Sequence, residues 1–417
     1  MPSMRDHASQ IMRRSDALAA FTTVEGQITR PYGTVALLEA RAQLDTWMRA
    51  VGMTTRTDNV GNLIGRYDAD GTASAPITFL VGGHFDSVVD AGQYDGTLGI
   101  LSGIAVVKHL HETDRRLPFA IEVVAFADEE GNRFHTSFLG SSPVAGLWDP
   151  AWLDLEDDAG VSLEAGIRSI GGDPHAIAAD AIDPETVLGF IEVHIEQGPV
   201  LQDRNLPVAA VSSITGSLRA TIEFTGVAGH AGTVPMTLRR DALSGAAELV
   251  LAVETIGGSE PDLVATVGKL ESSPGASNVI SGHANLTLDL RHPDPVVRTR
   301  AFASIRERAG EIASRRKLEL HWTNSPSFTE TPCDAGLTQT LRTAIAGEGI
   351  EPLSLFSGAG HDAITMSNIG PVTMMFVRCR DGISHNPAES IDEPDVEVAL
   401  RVLLRFLLDV VDNRSGE

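Results

Sequence analysis

Residues 81–99 read VGGHFDSVVDAGQYDGTLG, a glycine-rich stretch between two apolar segments. The preceding run, Ile77–Leu80, is predicted to be a buried strand, and Leu98–Glu112 has the apolar spacing of a helix. A strand, a glycine-rich turn and a helix are typical of an open α/β sheet, which binds ligands beyond the carboxyl ends of its strands. The turn carries one histidine and two aspartates: His84, Asp86 and Asp95.

Imidazole and carboxylate groups on such a turn suit a divalent metal ion. Glycines around them would let the backbone turn tightly about something small. These are Gly82, Gly83, Gly92, Gly96 and Gly99. Taken alone, the stretch fits a metal site and a polar turn with a structural histidine equally well.

Three later apolar runs, each predicted to be a buried strand, also end in histidine or carboxylate groups. The runs are Ile121–Ala127, Val187–Ile195 and Val372–Val377. The groups at or beyond their ends are Glu129 and Glu130, His194, and His385. Because the carboxyl ends of neighbouring strands meet at one edge of a sheet, the four exits together predict one convergent metal site.

Eight motifs between Gly83 and Glu389 carry a family resemblance: GHFDSV, GQYDG, DEEGNRF, HIEQGP, GHAGTVPM, SNVISG, GAGHDA and GISHNPAE. On these motifs the chain resembles the dinuclear-metal amidohydrolases of the M20 peptidase family. It is most similar to the branch that contains N-carbamoyl-L-amino-acid hydrolases, allantoate amidohydrolases and β-ureidopropionases. The motifs span nearly the whole chain.

Within this resemblance we expect two divalent ions per subunit, Zn²⁺ or else Mn²⁺ or Co²⁺. The assigned ligands are His84 and His194 for one ion, Glu130 and His385 for the other, and Asp95 as the bridge. Relatives with peptidase activity usually carry an acidic residue in place of His194, so this histidine indicates the ureido-cleaving branch. Two ions can share a water, lower its pKa and polarise a carbonyl.

Two carboxylates near the ligands have predicted supporting roles. Glu129 is the expected general base, because neighbouring side chains at a strand exit point to opposite sides and only one of the pair can bind the metal. Asp86 is expected to orient the imidazole of His84. The alternatives are a solvated glutamate for Glu129 and a turn cap for Asp86.

Residues 212–327 are predicted to form a second domain inserted into the first. Its elements alternate as strand, helix, strand, strand, helix and strand: Leu218–Phe224, Leu238–Ile256, Asp262–Leu270, Ala284–Arg291, Pro295–Arg315 and Leu318–Thr323. This is the order of a ferredoxin-like unit, whose helices cover one face of an antiparallel sheet. Residues 1–211 and 328–417 would then form a mixed-sheet α/β metal-binding domain, with the insert as a hinged lid.

The lid is expected to supply substrate groups. His230, on the glycine loop GVAGHAG, can stabilise an oxyanion, and the resemblance implies that it acts across the interface of a homodimer joined through the lid. Strand alternation puts Arg291 opposite three leucines, on the open face, where a guanidinium can bind a substrate carboxylate. An edge salt bridge is the alternative. The resemblance adds three further substrate-binding residues: Gln197, Asn278 and His361.

Composition limits the partners. The chain has 417 residues, with 32 Lys and Arg against 56 Asp and Glu, a formal net charge of −24. That charge disfavours nucleic acid and anionic membrane surfaces. Residues 1–21 lack a continuous apolar core, so we expect no signal peptide, and no run approaches the ~20 apolar residues of a membrane span. Two cysteines, Cys333 and Cys379, favour the cytoplasm.

The expected activity is metal-dependent hydrolysis of a linear ureido amide that carries a nearby carboxylate. An N-carbamoyl-L-amino acid would give an amino acid, carbon dioxide and ammonia. Allantoate and ureidopropionate remain open as substrates. A peptidase or aminoacylase is disfavoured by His194, and a non-catalytic relative by the presence of Glu129 and all the ligands.

Overall fold

The computed structural model describes residues 3–71 and 77–415. The chain divides into two compact units, Met1–Ser212 with Cys333–Glu417, and Ser213–Pro332. The borders expected from the sequence fall after residues 211 and 327. The second unit is therefore an insertion in the first, and each is described by itself.

Within the described ranges the α-helices are α1 (Met4–Ala19), α2 (Val35–Arg49), α3 (Thr97–Glu112), α4 (Ser141–Val144), α5 (Leu163–Ser169), α6 (Val200–Arg204), α7 (Ala242–Gly257), α8 (Pro295–Arg316), α9 (Ala335–Gly347), α10 (Ala363–Met366) and α11 (Glu393–Ser415). The strands are β1 (Thr54–Thr57), β2 (Leu63–Tyr67), β3 (Thr78–His84), β4 (Ala120–Phe126), β5 (Val187–Ile195), β6 (Val208–Ile214), β7 (Gly216–Thr225), β8 (Gly229–His230), β9 (Val264–Thr266), β10 (Leu270–Ser273), β11 (Val279–Ile280), β12 (His283–His292), β13 (Glu319–Phe328), β14 (Thr331–Pro332), β15 (Ser354–Ser357) and β16 (Val372–Val377).

The sheet of the first unit is mixed, in the order β1-β2-β4-β3-β5-β16-β6, with β15 beside β6. The neighbours β4, β3, β5 and β16 are parallel, whereas β1, β2 and β6 join antiparallel. These four parallel strands are the four predicted runs, and β5 and β16 match the prediction to the residue. The α/β class is confirmed, and the carboxyl ends of the four strands lie side by side at one edge.

The glycines of residues 81–99 were expected to allow tight turns, but most of them serve a different purpose. Of the five, only Gly96 has a positive φ, 68°. A Cβ on Gly99 of α3 would lie 2.3 Å from the carbonyl oxygen of Gly82, and one on Gly83 would lie 2.4 Å from that of Gly96. Gly83 and Gly99 therefore let the start of α3 lie directly against the backbone of β3, a role that differs from the expected tight turn.

The remaining helices of the first unit pack around α3 and the sheet. Helices α9 and α11 lie against β16, and α1 packs on α3 and α11. No helix was predicted for α1, because its buried face includes polar residues such as His7 and Arg14. The guanidinium of Arg14 lies over the Trp47 ring, 4.8 Å from its centre, a favourable cation–π contact for a buried cation. Among the described residues, no helix combines the length and apolar character needed to cross a bilayer.

The second unit is an antiparallel sheet in the order β10-β12-β7-β13, with β9 also beside β12. Helices α7 and α8 pack on β7 and β12 and enclose a separate apolar core. Several predicted bounds were wrong, among them the end of the last predicted strand, which is Phe328 in β13 rather than Thr323. Helix α7 begins at Ala242 rather than Leu238, because the Asp241 carboxylate caps it by accepting from the backbone N–H of Ser244.

The predicted strand Asp262–Leu270 contains β9 and the first residue of β10, two short strands on the same edge of β12. Thr266 of β9 pairs with Asp289 of β12, and Leu270 of β10 pairs with Leu286 of β12. The register against β12 therefore shifts by one residue between β9 and β10. One extra residue in an edge strand is a β-bulge, which hydrophobic periodicity does not reveal.

We predict that Gly99→Ala destabilises the first unit, because the new methyl group would overlap the carbonyl oxygens of Gly82 and Val193. Overpacking of this kind costs about 1–3 kcal/mol, which thermal unfolding followed by circular dichroism measures. The control is Gly310→Ala in α8, where no atom lies within 4 Å of the added Cβ. An unchanged midpoint for Gly99→Ala would show that α3 can move away from β3 without loss.

Candidate metal centre

The histidines and carboxylates singled out in the first unit converge at the carboxyl edge of the parallel strands. His84 is the last residue of β3, and His194 lies near the end of β5. Asp95 immediately precedes Gly96, the N-cap of α3. Gly96 must be glycine here, because its φ is 68° and a Cβ would lie 2.4 Å from the His84 ring. The loop that carries Asp95 therefore lies in direct contact with the imidazole of His84.

The Asp95 carboxylate is the centre of the cluster. Its Oδ1 lies 3.4 Å from Nε2 of His84 and 3.0 Å from Nε2 of His194. Its Oδ2 lies 3.1 Å from Nε2 of His385, which in turn lies 3.4 Å from Oε1 of Glu130. Each oxygen therefore faces a different set of ligand atoms, as a carboxylate between two ions would.

The imidazoles are oriented from behind. Nδ1 of His84 lies 3.2 Å from Oδ1 of Asp86, the contact expected from the sequence. Nδ1 of His194 lies 2.9 Å from the carbonyl oxygen of Ile195, to which it donates. In both rings Nε2 is left facing Asp95, the arrangement that supporting hydrogen bonds give to metal-binding histidines.

Glu129 and Glu130 lie closer together than strand alternation suggests. Strand β4 ends at Phe126, so its alternation no longer applies to them. Ligand atoms of Glu129, Glu130 and His84 all lie within 4.8 Å of one another. The Asp86 carboxylate accepts from both backbone N–H groups, at 3.0 Å for Glu129 and 3.3 Å for Glu130. Asp86 thereby links His84 to the segment that carries both glutamates.

Burial and like charge shape the electrostatics of the acids. Burial opposes ionisation of Asp95, but its hydrogen bonds to His194, His385 and His84 hold its pKa well below the usual range. Burial raises the pKa of Glu130 to about 7. Burial, together with the charges of Glu130 and other nearby acids, raises the pKa of Glu129 well above its ordinary value.

The centre is thus a buried site with more carboxylates than it can keep ionised without added positive charge. Oδ2 of Asp128 and Oε1 of Glu192 are buried with no hydrogen-bond partner in the described structure. Two ligand groups share Asp95, namely His84, Asp95 and His194, and Asp95, Glu130 and His385. Imidazole and carboxylate in these proportions suit Zn²⁺, Mn²⁺ or Co²⁺, so the residues present fit divalent metal ions.

Glu389, which holds the backbone of Asp95 in place, was not predicted from the sequence. Oε1 of Glu389 accepts from the backbone N–H groups of Tyr94, at 2.8 Å, and Asp95, at 3.2 Å. Oε2 of Glu389 accepts from the hydroxyl of Ser384. The signal was present in the motif GISHNPAE, whose final glutamate is Glu389. Gln197, predicted to bind substrate, donates from Nε2 to Oδ2 of Asp95 at 3.0 Å, so it contacts the centre directly.

His361, predicted to bind substrate, is buried beside the ligands. Its ring centre lies 4.6 Å from that of His194, edge to face. Nε2 of His361 lies 2.6 Å from the hydroxyl of Ser357. Burial, followed by the neighbouring His194, holds the pKa of His361 well below the ordinary value. At this position the fold therefore favours a neutral imidazole packed against His194.

A family model described as "Peptidase family M20/M25/M40" matches residues 80–409. The chain belongs to this family. The membership expected from the eight motifs is confirmed.

Two relatives have almost the same sequence identity to this chain. A "Probable allantoate deiminase" of Oryza sativa subsp. japonica is 39% identical, covering 94% of this chain and 87% of its own length. An "N-carbamoyl-L-amino acid amidohydrolase" of Geobacillus stearothermophilus is 38% identical, covering 91% and 92%. A solved structure, an amidase of the hydantoinase/carbamoylase family from Burkholderia multivorans, superposes with a TM-score of 0.90 at 31% identity, covering 97% of this chain and 98% of its own.

The second unit of this M20 chain carries the predicted site residues His230, Asn278 and Arg291. It brings His230 and Asn278 together. His230 in β8 pairs with Val279 in β11, and the carbonyl of Asn278 accepts from the N–H of Ala231. His230 is exposed, and its Nδ1 accepts from the N–H of Gly232.

Arg291 lies on the face of β12 opposite the buried leucines, as alternation predicted. Its Nε and Nη2 donate to the two oxygens of Asp289, at 2.8 and 2.9 Å. The salt bridge considered as an alternative is therefore present. Asp289 also accepts from Arg219, at 2.8 Å, so one carboxylate holds two guanidinium groups on this face.

We predict that Asp95→Ala loses bound metal from both ligand groups, because each group depends on one oxygen of this carboxylate. Elemental analysis of protein purified with added Mn²⁺ or Zn²⁺ measures the ratio of metal to protein. The matched control is Asp90→Ala, which removes a carboxylate from the same loop outside both groups and is expected to keep full metal content. Normal metal content in Asp95→Ala would rule out the bridging role.

Proposed function

We propose that this protein hydrolyses the ureido C–N bond of an N-carbamoyl-L-amino acid, releasing an amino acid, carbon dioxide and ammonia. The observation that carries this proposal is the Asp95 carboxylate shared by His84, His194 and His385, with Glu129 close to the same group. The similarity to the Geobacillus carbamoyl-amino-acid enzyme supports the substrate class.

Allantoate is the second candidate substrate. It also carries ureido groups and a carboxylate, and the rice relative supports it at an almost equal identity. Ureidopropionate belongs to the same chemical class. A peptidase or aminoacylase activity has less support, because a histidine, His194, stands where peptidase members of the family usually have an acid.

We further propose two divalent ions per subunit, Zn²⁺ or else Mn²⁺ or Co²⁺. His84 and His194 would hold one ion, Glu130 and His385 the other, and Asp95 would bridge them. Bound there, the ions would supply Lewis acidity, which polarises a carbonyl and makes a water more acidic. Support comes from the two ligand groups that share Asp95.

The chain's own residues would then handle protons and orientation. Glu129 would accept a proton from the attacking water and deliver it to the departing nitrogen, the task of a general base that later acts as an acid. Asp86 would keep His84 oriented and hold the backbone of Glu129. Gln197 would bind polar groups of the substrate near Asp95, a role supported by its contact with that carboxylate. For His361 the substrate role rests on the family resemblance alone, because its ring is buried against His194 and its Nε2 contacts Ser357.

The second unit is proposed to be a ferredoxin-like lid that also joins two subunits in a homodimer. Its strand order, β10-β12-β7-β13 with two helices packed on it, supports the ferredoxin-like assignment. His230 would stabilise the oxyanion in the neighbouring subunit's site, and Asn278, adjoining it, would bind substrate. Arg291 would bind the substrate carboxylate with its guanidinium oriented by Asp289. A cytoplasmic location stays a prediction.

The experiment that tests the function is an ammonia-release assay on N-carbamoyl-L-amino acids, allantoate and ureidopropionate with added Mn²⁺, for wild type and Glu129→Gln. Glu129→Gln is expected to lower kcat by ~10²–10⁴-fold, the usual contribution of a general base, with normal metal content. The control is Glu122→Gln on β4, whose carboxylate pairs with Arg66. Near-normal turnover by Glu129→Gln would assign the base elsewhere, and no ammonia from any compound would overturn the substrate class.

Arg291 tests the carboxylate part of the proposal. Arg291→Lys keeps the charge but loses the forked geometry, and Arg291→Ala loses both. We expect kcat/KM to fall in that order, with a loss of about 2–5 kcal/mol for alanine in a desolvated site. The neutral amide of the same substrate should be affected much less. Arg300→Ala, which removes a surface ion pair with Glu260, is the control. Equal losses on acid and amide would exclude a carboxylate contact.

A further inference from the structure

The two glutamates of the centre sit at the start of a compact loop, residues 128–139, which we call the glutamate loop. It begins after Ala127, the residue that follows β4, and ends before Gly140, the N-cap of α4. Its two ends are hydrogen-bonded to each other, Gly140 N–H to the carbonyl of Asp128 at 2.8 Å and Phe138 N–H to that of Glu129 at 2.9 Å. The position of Glu129 therefore depends on how the two ends of this loop are held.

One side chain holds both ends. Oδ1 of Asn62 accepts from the N–H of Ala127 at 2.8 Å, and Nδ2 of Asn62 donates to the carbonyl of Gly140 at 2.7 Å. Asn62 is fully buried, and it comes from another part of the chain, just before β2. A single planar amide thus fixes the residue before the glutamate loop and the residue after it.

The amide is itself held in one orientation. Nδ2 of Asn62 also donates to Oδ2 of Asp58 at 2.6 Å, while Oδ1 of Asp58 accepts from the backbone N–H groups of Val60 and Asn62. Rotating the amide by 180° would place its oxygen against a carboxylate and a carbonyl, and its NH₂ group against the N–H of Ala127. All three side-chain hydrogen bonds of the amide would be lost, and Asp58 is the one side chain among the three partners that determine the orientation.

We propose that Asn62, oriented by Asp58, is a positioning residue that sets the location of the Glu129 carboxylate relative to the metal ligands. The inference rests on the base role given to Glu129 under the proposed function. Glu129 lies two residues from Ala127, so a change at the bonded N–H is transmitted through very few rotatable bonds. Rates are sensitive to such shifts, because a misplacement of about 1 Å can cost ~10²-fold.

A purely structural amide and a positioning amide differ in a measurable way. The first lowers stability and the yield of folded enzyme but leaves the rate of each folded, metal-loaded site unchanged. The second lowers kcat in folded enzyme, and only while Glu129 is present to be misplaced. The two cases are separated by kinetics per metal-loaded site and by a double-mutant cycle.

The experiment uses the full-length, metal-loaded enzyme with the best substrate of the ammonia-release panel. Asn62→Ala removes both contacts, and Asp58→Asn keeps the volume while placing an NH₂ group toward that of Asn62. We expect kcat to fall at least ~10-fold in each, with KM within a factor of about three and normal metal content, by the sensitivity of rate to position. If Asn62→Ala does not fold, Asp58→Asn decides. The control, Asn59→Ala, removes an amide of the same turn that bonds Asp180 and not the glutamate loop.

The double mutants complete the test. In a Glu129→Gln background, Asn62→Ala and Asp58→Asn should lower kcat little further, because the group they position is gone. The proposal is overturned by a wild-type kcat in folded variants, or by losses that multiply in full with that of Glu129→Gln. Should Glu129→Gln itself turn over substrate near the wild-type rate, the base role in the proposed function fails, and that result is distinct from a normal rate in the Asn62 and Asp58 variants alone.

Discussion

A buried carboxylate must be matched by positive charge or by hydrogen-bond donors, and in the first unit that requirement is met around Asp95. Three imidazole nitrogens face its two oxygens, and the amide of Gln197 approaches one of them. The donors come from three separate parts of the chain, near or beyond the ends of β3, β5 and β16, and the order of the parallel strands is what brings them to one edge. The close approach of α3 to β3, which glycine permits, puts Asp95 within reach of His84.

The residues behind the ligands form a second set of constraints. Asp86 connects His84 with the backbone of both glutamates, and Glu389 holds the backbone of Asp95. The contacts of Asp86 with the glutamates and of Glu389 with Asp95 join segments that are far apart in sequence, and each is buried or half-buried. In a medium of low dielectric such links are stronger than in water, and they leave the ligand atoms few alternative positions.

Much of this arrangement could be predicted from the chain alone. Strands β5 and β16 were predicted to the residue because strands buried on both faces read as continuous apolar runs. The residues of the two candidate ligand groups could be selected because each lies at or beyond the end of such a run. By contrast, Glu389 acts on residues about 295 positions away, and Asn62 acts on Ala127 across 65. Hydrogen bonds over such separations leave no periodicity in the sequence.

The failures have equally specific causes. The alternation rule was applied to Glu129 and Glu130, which lie beyond the end of β4, where the chain is no longer extended. Helix α1 was missed although its buried residues recur at helical spacing, because three of the six are the polar residues His7, Arg14 and Ser15 rather than apolar ones. The pairing of Arg291 with Asp289 was one of two alternatives that alternation leaves open, since it determines the face of a strand but not the partner.

The junction of the two units has a consequence for how the chain folds. Ile214 pairs with Thr331, and Ser213 with Pro332, so the chain enters and leaves the second unit on two hydrogen-bonded strands about 5 Å apart. In the topology of the first unit, the 120 residues Ser213–Pro332 therefore take the place of a hairpin loop, because their two ends are paired. Once the second unit is ordered, its ends are already together, and the first unit is spared the loop-closure entropy of a long flexible insertion. Autonomous folding of the insert would thus lower the entropic barrier to pairing β6 with β16.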